Sequence, residues 1–200
     1  MDTIKDDIEV YDPVNTNKNV YYSKIMYKNS ELSFQTDKTN LSINKDKNKA
    51  KINLSNKLSD FIQNVSKAVI EITSEKSEHF FGKVITVEDC ETIYKEALVN
   101  NTLHCFFDED TFFYKSKNEK INLENLDNEL NGIALLKCSA VVYTKNSFFI
   151  RWEISQFKMK QEKKVEDTHL KEYSIKDLPE HDCPINGDPL AKKLEEISLF

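Results

Sequence analysis

The fold is decided by the stretch from Ile133 to Lys160, which reads IALLKCSAVVYTKNSFFIRWEISQFKMK. Its residue pattern predicts two long β-strands joined at Thr144-Lys145-Asn146. The first strand alternates an apolar face with a more polar one, and the apolar face is formed by Ala134, Leu136, Cys138, Ala140 and Val142. The second strand has Ile150, Trp152 and Ile154 on one face and Phe149, Arg151, Glu153, Phe157 and Met159 on the other.

The second face carries the only arginine of the chain, Arg151, beside aromatic residues. A face that mixes aromatic rings with cations is able to stack bases and neutralise phosphates. The same composition is found on a solvated sheet with ordinary cross-strand pairs, so both interpretations stay open at this point. Trp152 is expected in the core, because it shares a face with Ile150 and Ile154.

The composition is that of a polar chain of 200 residues, with 39% hydrophobic and 31% charged residues. This length predicts one domain, or one domain with an extension, and suffices for a substantial core. No apolar run reaches the ~18 residues of a membrane span. The start, MDTIKDDIEV, lacks the apolar stretch of a signal peptide, which favours an intracellular protein.

Charge and turn residues divide the chain into three parts. Residues 1–18 are polar, contain Asp12-Pro13 and are predicted to form an N-terminal arm. Residues 165–200 carry nine acidic residues against four lysines and are predicted to be an acidic C-terminal extension. Residues 19–164 form the body, and residues 1–164 together are close to neutral. Near-neutrality does not exclude binding of an anion, since the local field of a groove decides that.

Within the body, turns and periodicity predict strands in the first quarter, including two strands that flank Lys45–Asn48. Apolar residues at spacings of three and four then predict a helix whose stripe contains Leu58, Phe61, Ile62, Val65, Val69 and Ile72. A capping box begins a second helix at Thr86. A hairpin is predicted about Asp108-Glu109-Asp110, and a short helical piece over residues 123–130.

The sequence contains no pattern that favours an enzyme. With three glycines it has no glycine-rich phosphate loop, and it lacks H-E-x-x-H and G-x-S-x-G. A zinc site could be assembled from His104-Cys105 and His181-x-Cys183, but adjacent ligands are poor geometry, and consecutive acids at a turn are more often solvated than metal-bound. We therefore expect no enzymatic activity, no metal and no cofactor.

Two segments give the chain a family resemblance: the early LSFQT (residues 32–36), and FFIRWEISQFKM, in which Ile150, Trp152, Ile154, Gln156, Phe157 and Lys158 fit a closing-strand pattern. Over residues 20–160 the chain resembles the single-stranded DNA-binding proteins of large eukaryotic DNA viruses, which are similar to the phage T7-type protein. Asp37 departs from the family, which has proline there. The resemblance implies an α+β fold: a mainly antiparallel OB-type β-barrel with two or three helical insertions. It also implies no enzymatic activity and a role in viral DNA replication or recombination.

In such a protein, lysines follow the nucleic-acid backbone and exposed aromatic rings stack on bases. We accordingly expect the nucleic-acid-binding residues to be Tyr27, Lys137, Lys145, Phe149, Arg151 and Lys158. In that functional class an acidic tail often ends in an aromatic residue. Glu195, Glu196 and Phe200 are thus candidates for binding replication proteins, the alternative being a terminal helix docked on its own domain.

The expected partner is single-stranded DNA, and the expected location is the host cytoplasm (in a viral factory) or the nucleus. The sequence leaves open whether the protein forms a homo-oligomer. The principal alternative is a virion or other structural protein that acts only through protein contacts.

Overall fold

The computed structural model describes residues 4–17, 19–116 and 119–160, over which the chain is an α+β protein. The strands are β1 (Ile8–Val10), β2 (Val14–Asn17), β3 (Val20–Ser23), β4 (Ile25–Tyr27), β5 (Ser33–Gln35), β6 (Thr39–Asn44), β7 (Lys49–Asn53), β8 (Leu98–Val99), β9 (Thr102–Phe106), β10 (Phe112–Ser116), β11 (Glu119–Ile121), β12 (Glu129–Tyr143) and β13 (Phe148–Met159). The helices are α1 (Asn56–Glu75), α2 (Ser77–Phe81) and α3 (Val87–Ile93), and 3₁₀ turns lie at Ile4–Asp7, Lys45–Lys47 and Leu123–Asn125.

Five of these strands close into a barrel. β6 pairs with β7, β7 with β9, β9 with β13, β13 with β12, and β12 returns to β6. The two strands predicted from residues 133–160 are β12 and β13, which pair over most of their length. The two strands predicted on either side of Lys45–Asn48 are confirmed as β6 and β7.

The barrel is mixed, which corrects the expectation of a mainly antiparallel one. β13 runs parallel to both β9 and β10, with Glu153 opposite Phe106 and Gln156 opposite Phe112. Because β12 occupies the other edge of β13, β9 and β10 follow one another along the same edge. The predicted hairpin about Asp108–Asp110 is therefore wrong: the chain bulges out there and continues in the same direction.

Two β-bulges interrupt the pairing of β12 with β13, at Ser139 in β12 and at Ser155 in β13. Each serine donates its hydroxyl to a carbonyl of the opposite strand, Ser139 to Arg151 at 3.2 Å and Ser155 to Leu135 at 3.1 Å. A bulge adds one residue to its strand and so reverses which side chains face the core beyond it. The apolar face predicted for β12 consequently ends at Cys138: beyond the bulge Val141 and Tyr143 belong to the core cluster, and Ala140 and Val142 are buried on the other face.

The core lies between the barrel and α1. The predicted apolar stripe of α1 is buried, and the ring of Phe61 meets Phe34 edge-on at 5.9 Å. Phe34 in turn contacts Trp152 at 5.7 Å, and Trp152 is fully buried, as expected from its strand face. The predicted helix start at Thr86 is confirmed at α3, where the Thr86 hydroxyl accepts from the Asp89 amide at 3.1 Å.

The predicted N-terminal arm is part of the folded unit over residues 4–17. β1 pairs with β4 and β2 with β3, and Ile8 and Val10 are buried. The helical piece predicted over residues 123–130 is only a 3₁₀ turn, since β12 begins at Glu129. Within the described ranges, no helix combines the length and apolar character needed to cross a membrane. The boundary predicted at residue 164 and the acidic extension lie outside the described residues.

Candidate nucleic-acid interface

A half-exposed aromatic ring, Phe106, lies at the centre of the outward face of the barrel between two cations. The registers place Lys49 of β7 opposite Phe106 of β9, and Glu153 of β13 opposite Phe106 on its other side. The guanidinium carbon of Arg151 lies 4.4 Å from the ring centroid and the Lys49 ammonium 5.6 Å from it. Both contacts fall within the range of cation–π attraction.

A buried carboxylate fixes the arginine in this arrangement. Glu153 is only 8% exposed, and it accepts from Arg151 Nε at 2.6 Å and pairs with Lys137 Nζ at 3.2 Å. Burial raises the pKa of the Glu153 carboxyl, but the hydrogen bonds from Arg151 and Lys137 outweigh it and hold that pKa below its usual range. The carboxylate is therefore charged at neutral pH, and it orients the guanidinium over the Phe106 ring.

A cavity of about 370 Å³ opens beside Phe106 on the β6–β7–β9 part of the same face. Its basic and polar lining includes Lys47, Lys49, Lys51, His104 and Asn44. Lys51 lies opposite His104 in the β7–β9 ladder, and both are exposed. The cavity thus presents cations and hydrogen-bond donors beside an aromatic ring, an arrangement suited to an anionic ligand that also has flat rings.

The turn between β6 and β7 supports this face. Asn44 accepts from the Lys47 amide at 3.1 Å, and Asn48 takes a left-handed conformation with φ of 50° that lets the chain reverse. The ammonium of Lys45 donates to the Leu126 carbonyl at 2.6 Å. Lys45 therefore anchors the turn, whereas Lys47 and Lys49 are exposed to a ligand.

A family model described as a family of unknown function (DUF5871) matches residues 39–177, more than half of the sequence. The chain belongs to this family. No curated protein matches it. Among solved structures, it is similar to the single-stranded DNA-binding protein from bacteriophage Enc34 in complex with ssDNA, with a TM-score of 0.42, 9% identity, and coverage of 77% of this chain and 97% of that one. A similarity this weak carries no argument about the function of this DUF5871 member.

Three of the residues expected from the sequence lie at or beside the Phe106 face of this DUF5871 member. Arg151 contacts the ring, Lys137 pairs with Glu153, and Phe149 is half-buried two residues before Arg151. Lys158 is half-exposed further along β13. Lys145 is exposed in the turn between β12 and β13.

Tyr27 was wrongly expected to stack on bases. It is 2% exposed, and its ring packs edge-on against Phe61 of α1 at 6.3 Å. The pairing of β4 with β1 turns both Ile25 and Tyr27 toward the core. The tail residues Glu195, Glu196 and Phe200 lie outside the described residues, so their expected role stays a prediction.

The centre of the interface, Phe106 with Lys49 and Lys51, was missed from the sequence. The signal was present as Lys49-Ala-Lys-Ile-Asn53, in which the lysines alternate with buried Ala50 and Ile52. That pattern does not predict a binding site, because isolated lysines on a strand usually indicate solvent exposure alone. Only the pairing of β7 with β9, which is not evident from either segment, brings them beside an aromatic ring.

Proposed function

We propose that the protein binds single-stranded DNA with little sequence preference, through the outward face of β7, β9 and β13 centred on Phe106. Every base has a flat face, and aromatic stacking therefore tolerates any sequence, while lysines along the groove neutralise phosphates. The observation that carries the proposal is the Phe106 ring held between Lys49 and Arg151 on an exposed strand face.

The position of this face in the barrel supports the proposal. In OB-folds, the face formed by the second and third strands of a five-stranded barrel binds oligonucleotides. Taken in chain order, the closed circuit is β6, β7, β9, β12 and β13, so that β7 and β9 are its second and third strands. We therefore propose that the barrel is of OB type, with α1 inserted between its second and third strands.

The charges on this face also support a polyanionic ligand. Lys47, Lys49 and Lys51 are all exposed. The buried carboxylate of Glu153 is neutralised by Arg151 and Lys137 and adds no exposed negative charge. The net charge of −6 for the whole chain does not oppose binding, because much of it belongs to residues 165–200.

In this proposal the protein protects exposed strands during viral DNA replication or recombination, inside the host cell and without enzymatic activity of its own. The resemblance of its closing strand to viral single-stranded DNA-binding proteins supports that setting. The acidic tail, with Glu195, Glu196 and Phe200, then serves to bind replication proteins and competes with DNA for the cationic face.

Fluorescence anisotropy with a labelled dT strand of about 30 nucleotides, titrated at about 50 and about 200 mM salt, tests the proposal. We expect tight binding that weakens steeply with salt, and weaker binding to a duplex control. If the full-length protein does not bind the strand at micromolar concentration, the proposal is wrong and a structural protein acting through protein contacts becomes the better hypothesis.

A further inference from the structure

A second aromatic ring with a cation lies outside the five-strand barrel, on β10 and β11. Phe112 is 40% exposed, one of the most exposed large apolar side chains in the described ranges. The ammonium of Lys120 lies 4.2 Å from its ring centroid. The pair has the same chemistry as Phe106 with Lys49, and Phe112 is not part of the core cluster, to which β10 contributes Phe113.

The Ser155 bulge places this second pair on the same face as Phe106. Before the bulge, Arg151 and Glu153 point outward and Trp152 points inward. After it, the outward positions are Gln156 and Lys158, while Phe157 is fully buried. Gln156 pairs with Phe112 and Lys158 with Tyr114, so that Phe112 shares the outward face. Phe106 and Phe112 therefore lie on the same face of the sheet along β13, where Gln156 is half-buried and Glu153 and Tyr114 are buried.

The loop between the two rings determines on which side a phosphate backbone can lie. It carries Asp108, Glu109 and Asp110, all exposed. The loop is held in place, because Thr111 donates to the Ile154 carbonyl at 2.8 Å and Asp108 accepts from the Asp110 amide at 3.0 Å. These carboxylates repel phosphates from the β9–β10 side. On the opposite side of β13, Lys137 of β12 pairs with Glu153. Lys158 lies on β13 itself, five residues beyond Glu153.

We infer that single-stranded DNA crosses the Phe106 face and continues along β13 to a second stacking position on Phe112, with its backbone on the Lys137 and Lys158 side. This inference rests on the function proposed above and defines the path of the strand. Because Ser155 is bulged out, Glu153 and Gln156 pair with Lys137 and Leu135, which are two residues apart on β12, and the stacking positions are separated by about 7 Å. The footprint therefore extends beyond the barrel.

Oligonucleotide length and matched phenylalanine variants test the path. Phe112→Ala and Phe106→Ala are compared with Phe81→Ala, which removes another part-exposed ring, from α2. Each variant is titrated with dT strands of about 4 and about 16 nucleotides, the limits of typical site sizes. We expect Phe112→Ala to weaken binding of the long strand by about 5- to 150-fold, the equivalent of one stacked base, and to affect the short strand less.

Lysine variants test the side on which the backbone lies. Lys158→Gln is expected to lower the slope of log affinity against log salt by about 0.7 for the long strand, whereas Lys120→Gln, on the β10–β11 side, should leave that slope unchanged. The matched control is Lys67→Gln, because Lys67 is an exposed residue of α1 and its loss should leave the slope unchanged.

The outcomes separate this inference from the function it rests on. If the wild-type protein binds no strand of either length, the proposed function fails. If Phe106→Ala weakens binding while Phe112→Ala has the same affinity as Phe81→Ala for both strands, single-stranded DNA binding stands and the extended path is wrong. If Phe112→Ala weakens binding of the long strand but Lys158→Gln leaves the salt slope unchanged, the second stacking position is supported and the placement of the backbone is overturned.

Discussion

Replacing Phe106 with alanine should separate the stacking contribution of the interface from its charge contribution. The ring lies between Arg151 at 4.4 Å and Lys49 at 5.6 Å. These cation–π contacts exist in the free protein, so their loss, about 0.5–1 kcal/mol each, lowers the free energy of unfolding and contributes little to binding. The free energy of binding loses the contribution of one stacked base, about 1–3 kcal/mol, which corresponds to roughly a 5- to 150-fold rise in Kd.

Lys51→Gln provides the opposite change. Lys51 is exposed and lies opposite His104, and its ammonium is expected to contact phosphate alone. Its removal should lower the salt slope by about 0.7, the value for one phosphate contact on a single strand. Phe106→Ala should leave that slope unchanged, because no phosphate contact is removed.

The assay is the anisotropy titration with the labelled dT strand, repeated at several salt concentrations for wild type, Phe106→Ala and Lys51→Gln. Thermal unfolding of each variant shows whether it is folded under the binding conditions. The reasoning is refuted if folded Phe106→Ala binds as tightly as wild type, since the central ring would then not stack on bases. It is also refuted if Phe106→Ala lowers the salt slope as much as Lys51→Gln does.

Four further predictions concern stability and the tail. Because the pKa of Glu153 is lower in the folded protein than its ordinary value of 4.5, its ion pairs stabilise the fold above that value and lose their effect as the pH falls through the folded pKa. Glu153→Gln should lower the free energy of unfolding at pH 7 by about 1–3 kcal/mol. In denaturant titrations at several pH values, that free energy should fall less on acidification in the variant than in wild type. An equal fall in both proteins would contradict this. Tyr27→Ala should cost about 3–5 kcal/mol of stability by opening a cavity, yet leave the Kd of the folded protein for dT unchanged, whereas a large rise in Kd would restore Tyr27 to the interface. Gly132→Ala places a Cβ 2.0 Å from the Lys158 carbonyl oxygen, so the strands must shift and the melting temperature should fall by the equivalent of about 1–3 kcal/mol. An unchanged melting temperature would show that β12 and β13 separate there without cost. Deleting residues 186–200 should tighten DNA binding at low salt, and unchanged affinity would exclude competition by the tail.

The parts of the fold that depend on local pattern could be predicted from the sequence. The stripe of α1, the cap at Thr86 and the burial of Trp152 each follow from spacing or alternation within one element. The two long strands at residues 133–160 were predicted for the same reason. Their partners in the barrel could not be predicted, because the pairing of β13 with β9 and β10 joins segments about 45 residues apart. The residue pattern of neither segment indicates this pairing.

The candidate site shows the same division. Arg151 can be predicted as a candidate because a single arginine beside aromatic residues stands out in a strand pattern. Phe106 was missed, since its neighbours in space come from β7 and β13. The error at Tyr27 has a related cause: alternation identifies two faces of a strand, but it does not show which one the rest of the chain covers.

The serine bulge at residue 155 has a consequence for how this family can vary. The hydroxyl of Ser155 bonds a carbonyl of β12, but the extra residue itself determines the orientation of everything after it. Substitutions at position 155 should therefore be tolerated more readily than any change in chain length between Ile154 and Gln156. Loss of one residue there would turn Phe157 toward water and Lys158 toward the interior. Among relatives, an alignment gap at this point would mark a protein whose outer surface beyond the gap is a different one.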